Sequence, residues 1–153
     1  MDRVAAIALG SNLGARRDHL AFGIARLGTL LAGLTVSSIH ETDPIGVDGT
    51  QPRYLNAAAV GSTALSPREL LEALLAIERE RGRERPRPNA PRTLDLDLIL
   101  LGALVAESPD LWLPHPRFRE RRFVLEPLRE IAPDLVDPVT GETVAALAAR
   151  VQP

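Results

Sequence analysis

The chain has 153 residues, 45% hydrophobic and 25% charged, and we expect residues 1–153 to form one ordinary globular domain. It contains no cysteine, which excludes disulfides, thiolate nucleophiles and Cys-ligated metal sites. All 18 basic residues are arginine, so the P-loop lysine, the protein-kinase lysine and Schiff-base chemistry are excluded as well. No apolar run approaches the roughly 18 residues of a membrane span. We expect a monomeric cytoplasmic protein that binds no membrane.

The predicted elements of the first half alternate between strands and helices. An apolar run over Val4–Leu9 predicts a buried strand, and apolar residues at helical spacing predict a helix from about Arg16 to Leu31. Two further strands are expected at Thr35–Glu41 and Tyr54–Ser62. The segment between them, 43–49, is predicted to be a loop because it is rich in Pro, Gly and Asp.

The second half opens with a strong helix signal. Ser66–Glu69 has the spacing of a capping box, and the helix that it starts should end near Gly82. A loop rich in Pro and Arg over 83–91 precedes a strand at Thr93–Leu101. The Pro-rich remainder predicts short helices and turns, with a last helix at about Val144–Val151.

The order strand, helix, strand, strand, helix, strand predicts the fold class. It is the order of a split βαβ unit, and it indicates an α+β protein: a ferredoxin-like α/β sandwich with helices packed on an antiparallel sheet. The C-terminal third is expected to be an irregular extension of this sandwich.

The arginines are concentrated in two segments of an otherwise acidic chain. Positions 79–92 hold six Arg against two Glu, and positions 115–122 hold four Arg against one Glu. Clusters this localised favour a small anionic ligand over the broad basic surface of a nucleic-acid-binding protein. The alternative is a solvated helix end with Glu–Arg pairs, which fits positions 79–84 well and positions 83–92 poorly.

Two carboxylates form the most specific local pattern. In a strand, Asp95 and Asp97 share one face while Leu94, Leu96 and Leu98 share the other, and the Cα atoms of the two aspartates lie about 6.6 Å apart. The pair could simply solvate one face of the strand. However, the arginine-rich loop runs directly into it, and carboxylates for Mg²⁺ beside guanidinium groups for phosphate indicate a nucleotide site.

Ordered motifs along nearly the whole chain carry a resemblance to a known family. These are Gly10-Ser11-Asn12-Leu13, Tyr54-Leu55-Asn56, Gly82-Arg83-Glu84-Arg85, Pro91-Arg92-Thr93-Leu94-Asp95-Leu96-Asp97, Pro114-His115-Pro116-Arg117, Arg121-Arg122-Phe123-Val124-Leu125-Glu126-Pro127-Leu128 and Glu130-Ile131-Ala132-Pro133. With them the chain resembles the 6-hydroxymethyl-7,8-dihydropterin pyrophosphokinases of folate synthesis.

The resemblance implies a reaction and a set of site residues. The diphosphate of ATP is transferred to the pterin hydroxymethyl group, AMP is released, and two Mg²⁺ ions are held by Asp95 and Asp97. Asp97 is also a candidate base, and Arg83 and Arg92 are candidate catalytic groups. The implied nucleotide site contains Glu78, Arg83, Arg85, Arg92, Leu98, His115 and Arg121. The implied pterin pocket contains Thr42, Pro44, Ile45, Tyr54, Asn56 and Phe123. His19 and His40 are expected to be ordinary surface or sheet-edge residues.

Two other functions remain open from the residues themselves. One is a non-catalytic ferredoxin-like module that binds RNA or a small ligand, although few aromatic residues are available for stacking bases. The other is Mg²⁺-dependent transfer of phosphate or diphosphate to a different small alcohol. The resemblance implies ATP and the pterin as partners and no nucleic acid.

Overall fold

The computed structural model describes residues 2–42, 53–82 and 93–151. The predicted loops at 43–49 and 83–91 lie outside these ranges. Within them the strands are β1 (Arg3–Ser11), β2 (Ala32–Val36), β3 (His40–Thr42), β4 (Tyr54–Thr63), β5 (Asp95–Leu101), β6 (Ala106–Ser108) and β7 (Leu111–Leu113). The helices are α1 (Arg16–Leu30), α2 (Pro67–Glu80), α3 (Arg122–Ile131) and α4 (Val144–Arg150), with a 3-10 turn at Phe118–Glu120.

The main sheet is antiparallel and has the strand order β2-β4-β1-β5, with β3 also paired to β4. This is the predicted ferredoxin-like order, because β1 lies between β4 and β5, and β2, the strand that follows the first helix, lies beyond β4. The strand expected at Thr35–Glu41 is instead divided into β2 and β3. At the break, the Ser37 hydroxyl accepts the Ala58 N–H at 2.9 Å, so a side chain replaces one backbone rung of the ladder.

The first core lies between the sheet and helices α1 and α2. Its central strand contributes Ile7 and Leu9, which are at most 2% exposed. Helix α2 is held at its start by the predicted capping box, since Ser66 Oγ accepts the Glu69 N–H at 3.1 Å and Glu69 accepts the Ser66 N–H at 2.8 Å. The Leu residues of α1 and α2 pack against one face of the sheet, as their helical spacing predicts.

The C-terminal third forms a second core on the opposite face. Phe118, Leu125 and Leu128 pack there against Ala6 and Ala58, and Phe118 is fully buried. The predicted C-terminal extension of short helices and turns is therefore confirmed: α3 and α4 lie in the second core, whereas the hairpin β6–β7 packs against the first core. The sandwich thus has three layers, with helices on both faces of the sheet.

A β-bulge in β5 changes the alternation of its side chains between the two cores. Leu98 pairs with Ile7 and Leu100 pairs with Ala6, so Ile99 is an extra residue in the strand. Leu98 accordingly lies in the first core, while Ile99 and Leu100 lie in the second. In the described ranges, none of the helices is both long enough and apolar enough to span a bilayer.

Candidate active site

Four residues, one from each of four strands and three of them polar, form one row across the sheet, which we call the polar row. His40 of β3 pairs with Asn56 of β4, Asn56 pairs with Gly10 of β1, and Gly10 pairs with Asp95 of β5. Cross-strand partners place their side chains on the same face, and these lie on the face that carries the second core. From Asn56 to Asp95 the row spans two interstrand gaps, roughly 10 Å.

The neighbouring rows extend this polar surface. Asp97 pairs with Ala8, one step nearer the second core, and Thr42 pairs with Tyr54, one step farther away. The sheet therefore places Asp95 and Asp97 on the same face as three residues of the implied pterin pocket, Thr42, Tyr54 and Asn56. Sequence motifs more than 30 residues apart come together here because β1 lies between β4 and β5.

The two carboxylates lie on the outer strand β5 and are both partly exposed. Between them, the Leu96 N–H points away from β1 and donates to Glu78 Oε2 at 2.7 Å. Glu78 is 3% exposed, so a buried carboxylate from the end of α2 satisfies the edge of β5. This contact fixes the backbone at the centre of the Asp95–Asp97 pair.

The amide of Asn56 is buried in the middle of the sheet. Asn56 is 5% exposed, and its Nδ2 donates to Thr42 Oγ1 at 2.7 Å. A Cβ added at Gly10 would lie 3.4 Å from Asn56 Oδ1 and 3.7 Å from Tyr54 Cδ1. Gly10 is itself buried, and because it has no side chain, no β1 side chain lies between the Asn56 amide and Asp95 in this row. Gly10 is therefore a site residue that the motif alone did not identify.

His115 and Arg121, which precede α3, add an imidazole and a guanidinium group on the β5 side of the sheet. The His115 N–H donates to the Ile99 carbonyl of β5 at 2.9 Å, and its Nδ1 accepts the Arg117 N–H at 3.2 Å. Burial and the charge of Arg121 lower the pKa of His115 to about 4, although Asp95 acts in the opposite direction. The imidazole is neutral at pH 7 and keeps an N–H on Nε2.

Arg121 and Phe123 lie together at the start of α3. The Arg121 guanidinium is 5.6 Å from the centre of the Phe123 ring, within the range of a cation–π contact. Phe123 is partly buried against the edge of the second core. A cation and an aromatic ring therefore adjoin the polar rows of the sheet.

The donor set suits Mg²⁺ better than a softer metal. Asp95 and Asp97 offer carboxylate oxygens on one face of a strand, and Mg²⁺ binds such oxygens while keeping ligands from water and phosphate. Within residues 2–42, 53–82 and 93–151, there is no cluster of three or more His, Asp and Glu side chains arranged to hold a metal.

The remaining implied residues fall into two groups. Leu98 is 7% exposed and belongs to the first core, so its side chain lies on the face away from the aspartates. Pro44, Ile45, Arg83, Arg85 and Arg92 lie outside the described residues.

Comparison with known proteins gives a consistent match over most of the chain. Residues 6–133 match the family model of 7,8-dihydro-6-hydroxymethylpterin-pyrophosphokinase (HPPK). A 2-amino-4-hydroxy-6-hydroxymethyldihydropteridine pyrophosphokinase of Synechocystis is 45% identical over 150 residues, covering 96% of this chain and 75% of the relative. The enzyme of the same name from Bacillus subtilis is 46% identical over 133 residues, covering 86% of this chain and 79% of the relative.

Solved structures agree on the fold. A triple mutant of Plasmodium falciparum HPPK-DHPS matches with a TM-score of 0.72 at 14% identity, covering 98% of this chain and 44% of the solved chain. A single mutant of the same protein matches with a TM-score of 0.76 at 13% identity, covering 98% and 45%. The chain thus spans less than half the length of these solved chains, and the likeness concerns the fold alone.

Proposed function

The chain belongs to the 7,8-dihydro-6-hydroxymethylpterin-pyrophosphokinase family, and on this basis we propose that it transfers the diphosphate of ATP to 6-hydroxymethyl-7,8-dihydropterin. The product is the pterin diphosphate, AMP is released, and the reaction is a step of folate synthesis. The observation that carries the proposal is the row Asn56–Gly10–Asp95, which joins an amide suited to a heterocycle with a carboxylate suited to Mg²⁺.

The acceptor lies over the rows that contain Thr42, Tyr54 and Asn56. Tyr54 and Phe123 stack on the two sides of the flat ring, and Asn56 hydrogen-bonds its edge. Pro44 and Ile45 complete this pocket. The support is the common face of the strand residues and the position of Gly10, where a side chain would lie against the Asn56 amide and the Tyr54 ring.

ATP lies on the side of Asp95 and Asp97. His115, Arg121 and Glu78 line the nucleotide site, whereas the Leu98 side chain lies in the first core. Arg83, Arg85 and Arg92 contact the phosphates, and planar guanidinium groups suit this because they bind phosphate oxygens in pairs. Arg83 and Arg92 also stabilise the charge that develops during transfer. The segment 83–91 is a candidate lid over ATP.

In the reaction, the hydroxymethyl oxygen forms a bond to the β-phosphorus of ATP. The bond from that phosphorus to the oxygen bridging the α- and β-phosphates breaks, and AMP leaves. We assign the hydroxyl proton to Asp97, the carboxylate nearer the second core. Asp95 and Asp97 hold two Mg²⁺ ions, and bound Mg²⁺ would neutralise phosphate charge and align the triphosphate. The chain's own contribution is otherwise positioning, which brings the two reactants into line.

The assembly and location are proposed as well. We propose that residues 1–153 act as one domain and as a monomer, and that they bind the two small-molecule substrates without nucleic acid. A cytoplasmic location is the prediction of the cysteine-free composition.

The nucleotide product tests the proposed reaction. The full chain is incubated with ATP, Mg²⁺ and 6-hydroxymethyl-7,8-dihydropterin, and the nucleotides are separated by chromatography. We expect one AMP for each pterin diphosphate formed. ADP would instead indicate single-phosphate transfer, and AMP formation that needs no pterin would indicate another acceptor. No turnover at all, with no Mg²⁺-dependent nucleotide binding by calorimetry, would favour the binding module.

A matched pair of variants tests the carboxylate assignment. The double variant Asp95→Asn/Asp97→Asn keeps side-chain size and removes both charges, so we expect a loss of at least about 100-fold in turnover. Asp110→Asn removes a carboxylate that is exposed and pairs with Arg68, and it should leave turnover unchanged. Undiminished product formation by the double variant would end the proposal.

A further inference from the structure

A carboxylate at the last turn of α3 is bound to the connection between β2 and β3. Glu130 Oε2 accepts the Ser38 N–H at 2.7 Å, and Glu130 Oε1 accepts the Ser38 hydroxyl at 2.7 Å and His40 Nε2 at 3.0 Å. A carboxylate only accepts, so His40 carries its proton on Nε2. Both oxygens of Glu130 are used by groups about 90 residues away in the chain, and we call these contacts the Glu130 anchor.

The geometry of the Glu130 anchor is more closely fixed than that of an ordinary exposed ion pair. One of its donors is a backbone N–H, whose position is fixed by the strand connection. That hydrogen bond, with those from His40 and the Ser38 hydroxyl, lowers the pKa of Glu130 to about 2. The carboxylate is therefore ionised and able to accept all three hydrogen bonds at neutral pH.

Glu130 and Phe123 lie on one face of the same helix. They are seven residues apart, which is about two turns and about 10 Å along the axis. The start of α3 lies on the β5 side of the sheet, because the His115 N–H donates to the Ile99 carbonyl and Phe118, between His115 and α3, packs with Ile99 in the second core. The end of α3 lies at β3, where Glu130 binds His40. The helix therefore runs from the β5 side of the sheet to the β3 side.

The polar row also runs from the β3 side of the sheet to the β5 side, as α3 does. His40 is the first member of the row and pairs directly with Asn56, while Asp95 is the last. The anchor thus joins the helix that carries Phe123 to the strand beside Asn56. These two elements provide the opposite walls of the proposed acceptor pocket.

The helix alone does not rigidly fix its first turn relative to its last. Pro127 lies inside α3 and has no N–H, so the carbonyl of Phe123, four residues earlier, lacks its usual helical hydrogen bond. Val124, Leu125 and Leu128 pack in the second core and so hold both halves of α3 on the side of the helix that faces the sheet. On the exposed side, the contact that ties the helix to the sheet at its far end is the Glu130 anchor.

We propose that Glu130 is a positioning residue for the acceptor: through Ser38 and His40 it fixes the distance between Phe123 and the strands that carry Tyr54 and Asn56. This rests on the proposed function, because it takes the flat ring of the pterin as the ligand between those walls. Glu130 itself touches no substrate, and its effect reaches the site through α3.

Steady-state kinetics with each substrate varied in turn test this role. For Glu130→Ala we expect the KM for the pterin to rise about tenfold, while the KM for ATP stays within twofold and kcat within threefold. Glu130→Gln keeps the side-chain shape and one accepting oxygen, so it should fall between Glu130→Ala and the unaltered chain. Calorimetric titration of the pterin alone should show the same weakening without turnover.

Glu126→Ala is the matched control. Glu126 is on the same helix, but its ion partners Arg122 and Arg129 are also on α3, so its loss leaves the link to β3 intact. We expect unchanged KM values for both substrates. Hydrogen exchange of the α3 amides adds a readout without substrate: exchange should quicken in Glu130→Ala and not in Glu126→Ala.

The outcomes separate the anchor from the reaction. Equal weakening for pterin and ATP, or a pterin KM within twofold of the unaltered chain, would overturn the positioning role. If Glu130→Ala does not fold, Glu130→Gln and Ser38→Ala carry the test, and unaltered pterin affinity in both would overturn it. If the unaltered chain forms no AMP, the proposed reaction is wrong. Unchanged hydrogen exchange of the α3 amides in Glu130→Ala would instead show that the Glu130 anchor does not hold α3 in place.

Discussion

The position of a single residue in the site depends on the register of strand pairing more than on the sequence motif to which it belongs. Gly10 belongs to a motif that is weak by itself, yet the pairing of β1 places it between Asn56 and Asp95. The alternation of Asp and Leu along β5 was sufficient to predict that Asp95 and Asp97 share a face. It could not predict that Asn56 shares this face too, because that depends on which strands are neighbours.

Gly10→Ala tests whether the acceptor lies against the centre of the row. The added methyl would meet Asn56 Oδ1 at 3.4 Å and Tyr54 Cδ1 at 3.7 Å, which are ordinary contacts, so the fold should tolerate it. It would occupy space that the pterin needs. We expect the KM for the pterin to rise roughly tenfold, equivalent to about 1.4 kcal/mol, and the KM for ATP to change little. An unchanged pterin KM in a folded variant would show that the acceptor does not lie over Gly10.

At the scale of elements, the close approach of β4 to the end of α1 sets a second limit on side-chain size. Gly61 is buried in β4, and a Cβ there would lie 2.8 Å from Leu31 Cβ and 3.0 Å from the Ala32 carbonyl. These neighbours join α1 to β2 and are backbone or near-backbone atoms, so they cannot move aside easily. The absent side chain allows the helix-to-strand connection to pack against the sheet.

Two glycine substitutions make a matched test of this packing. Gly61→Ala should lower the free energy of unfolding by roughly 2 kcal/mol, because overpacking shifts the backbone. Gly28→Ala makes the same chemical change in α1, where nothing lies within 4 Å of the new Cβ, and should raise it by up to about 1 kcal/mol. Urea unfolding of both variants measures the difference. Equal effects would mean that the contact at Gly61 is not limiting.

Local signals predicted the elements well where one residue type decides the structure. The capping box at Ser66 and the helix that it starts are confirmed, as are the strands at the centre of the sheet. The break between β2 and β3 was missed because it depends on a hydrogen bond from a distant strand to Ser37. The hairpin β6–β7 was missed because its strands are only three residues long.

At the scale of the whole molecule, the second layer is what the sequence could least predict. Its helices are short and its prolines suggest loops, but α3 and α4 bury a continuous apolar surface once they meet the sheet. That surface is visible only when Ala6 and Ala58 are known to be neighbours. The same layer carries His115, Arg121 and Phe123 to the site, so half of the candidate site depends on an assembly that no local pattern specifies.

One buried carboxylate, that of Asp137, stabilises the second layer, and this stabilisation should decrease at acid pH. Burial would raise the pKa of Asp137, but hydrogen bonds from Arg119, Val139 N–H and the Thr140 hydroxyl outweigh it and lower the pKa to about 2. Because the folded pKa lies below the ordinary value near 4, this stabilisation is complete above about pH 5 and is lost as the pH falls towards 2.

Asp137→Asn should therefore lower the free energy of unfolding by about 3 kcal/mol at pH 7, the loss typical of a buried ion pair that loses one partner. The gap to the unaltered chain should narrow between pH 4 and pH 2, where the native carboxyl itself becomes protonated. Guanidinium unfolding at pH 7, 4 and 2.5 measures it, with Asp110→Asn as the exposed control that changes stability little at any pH. A gap that stays constant down to pH 2.5 would mean that the charge of Asp137 does not hold the layer, and that the shape of the side chain does.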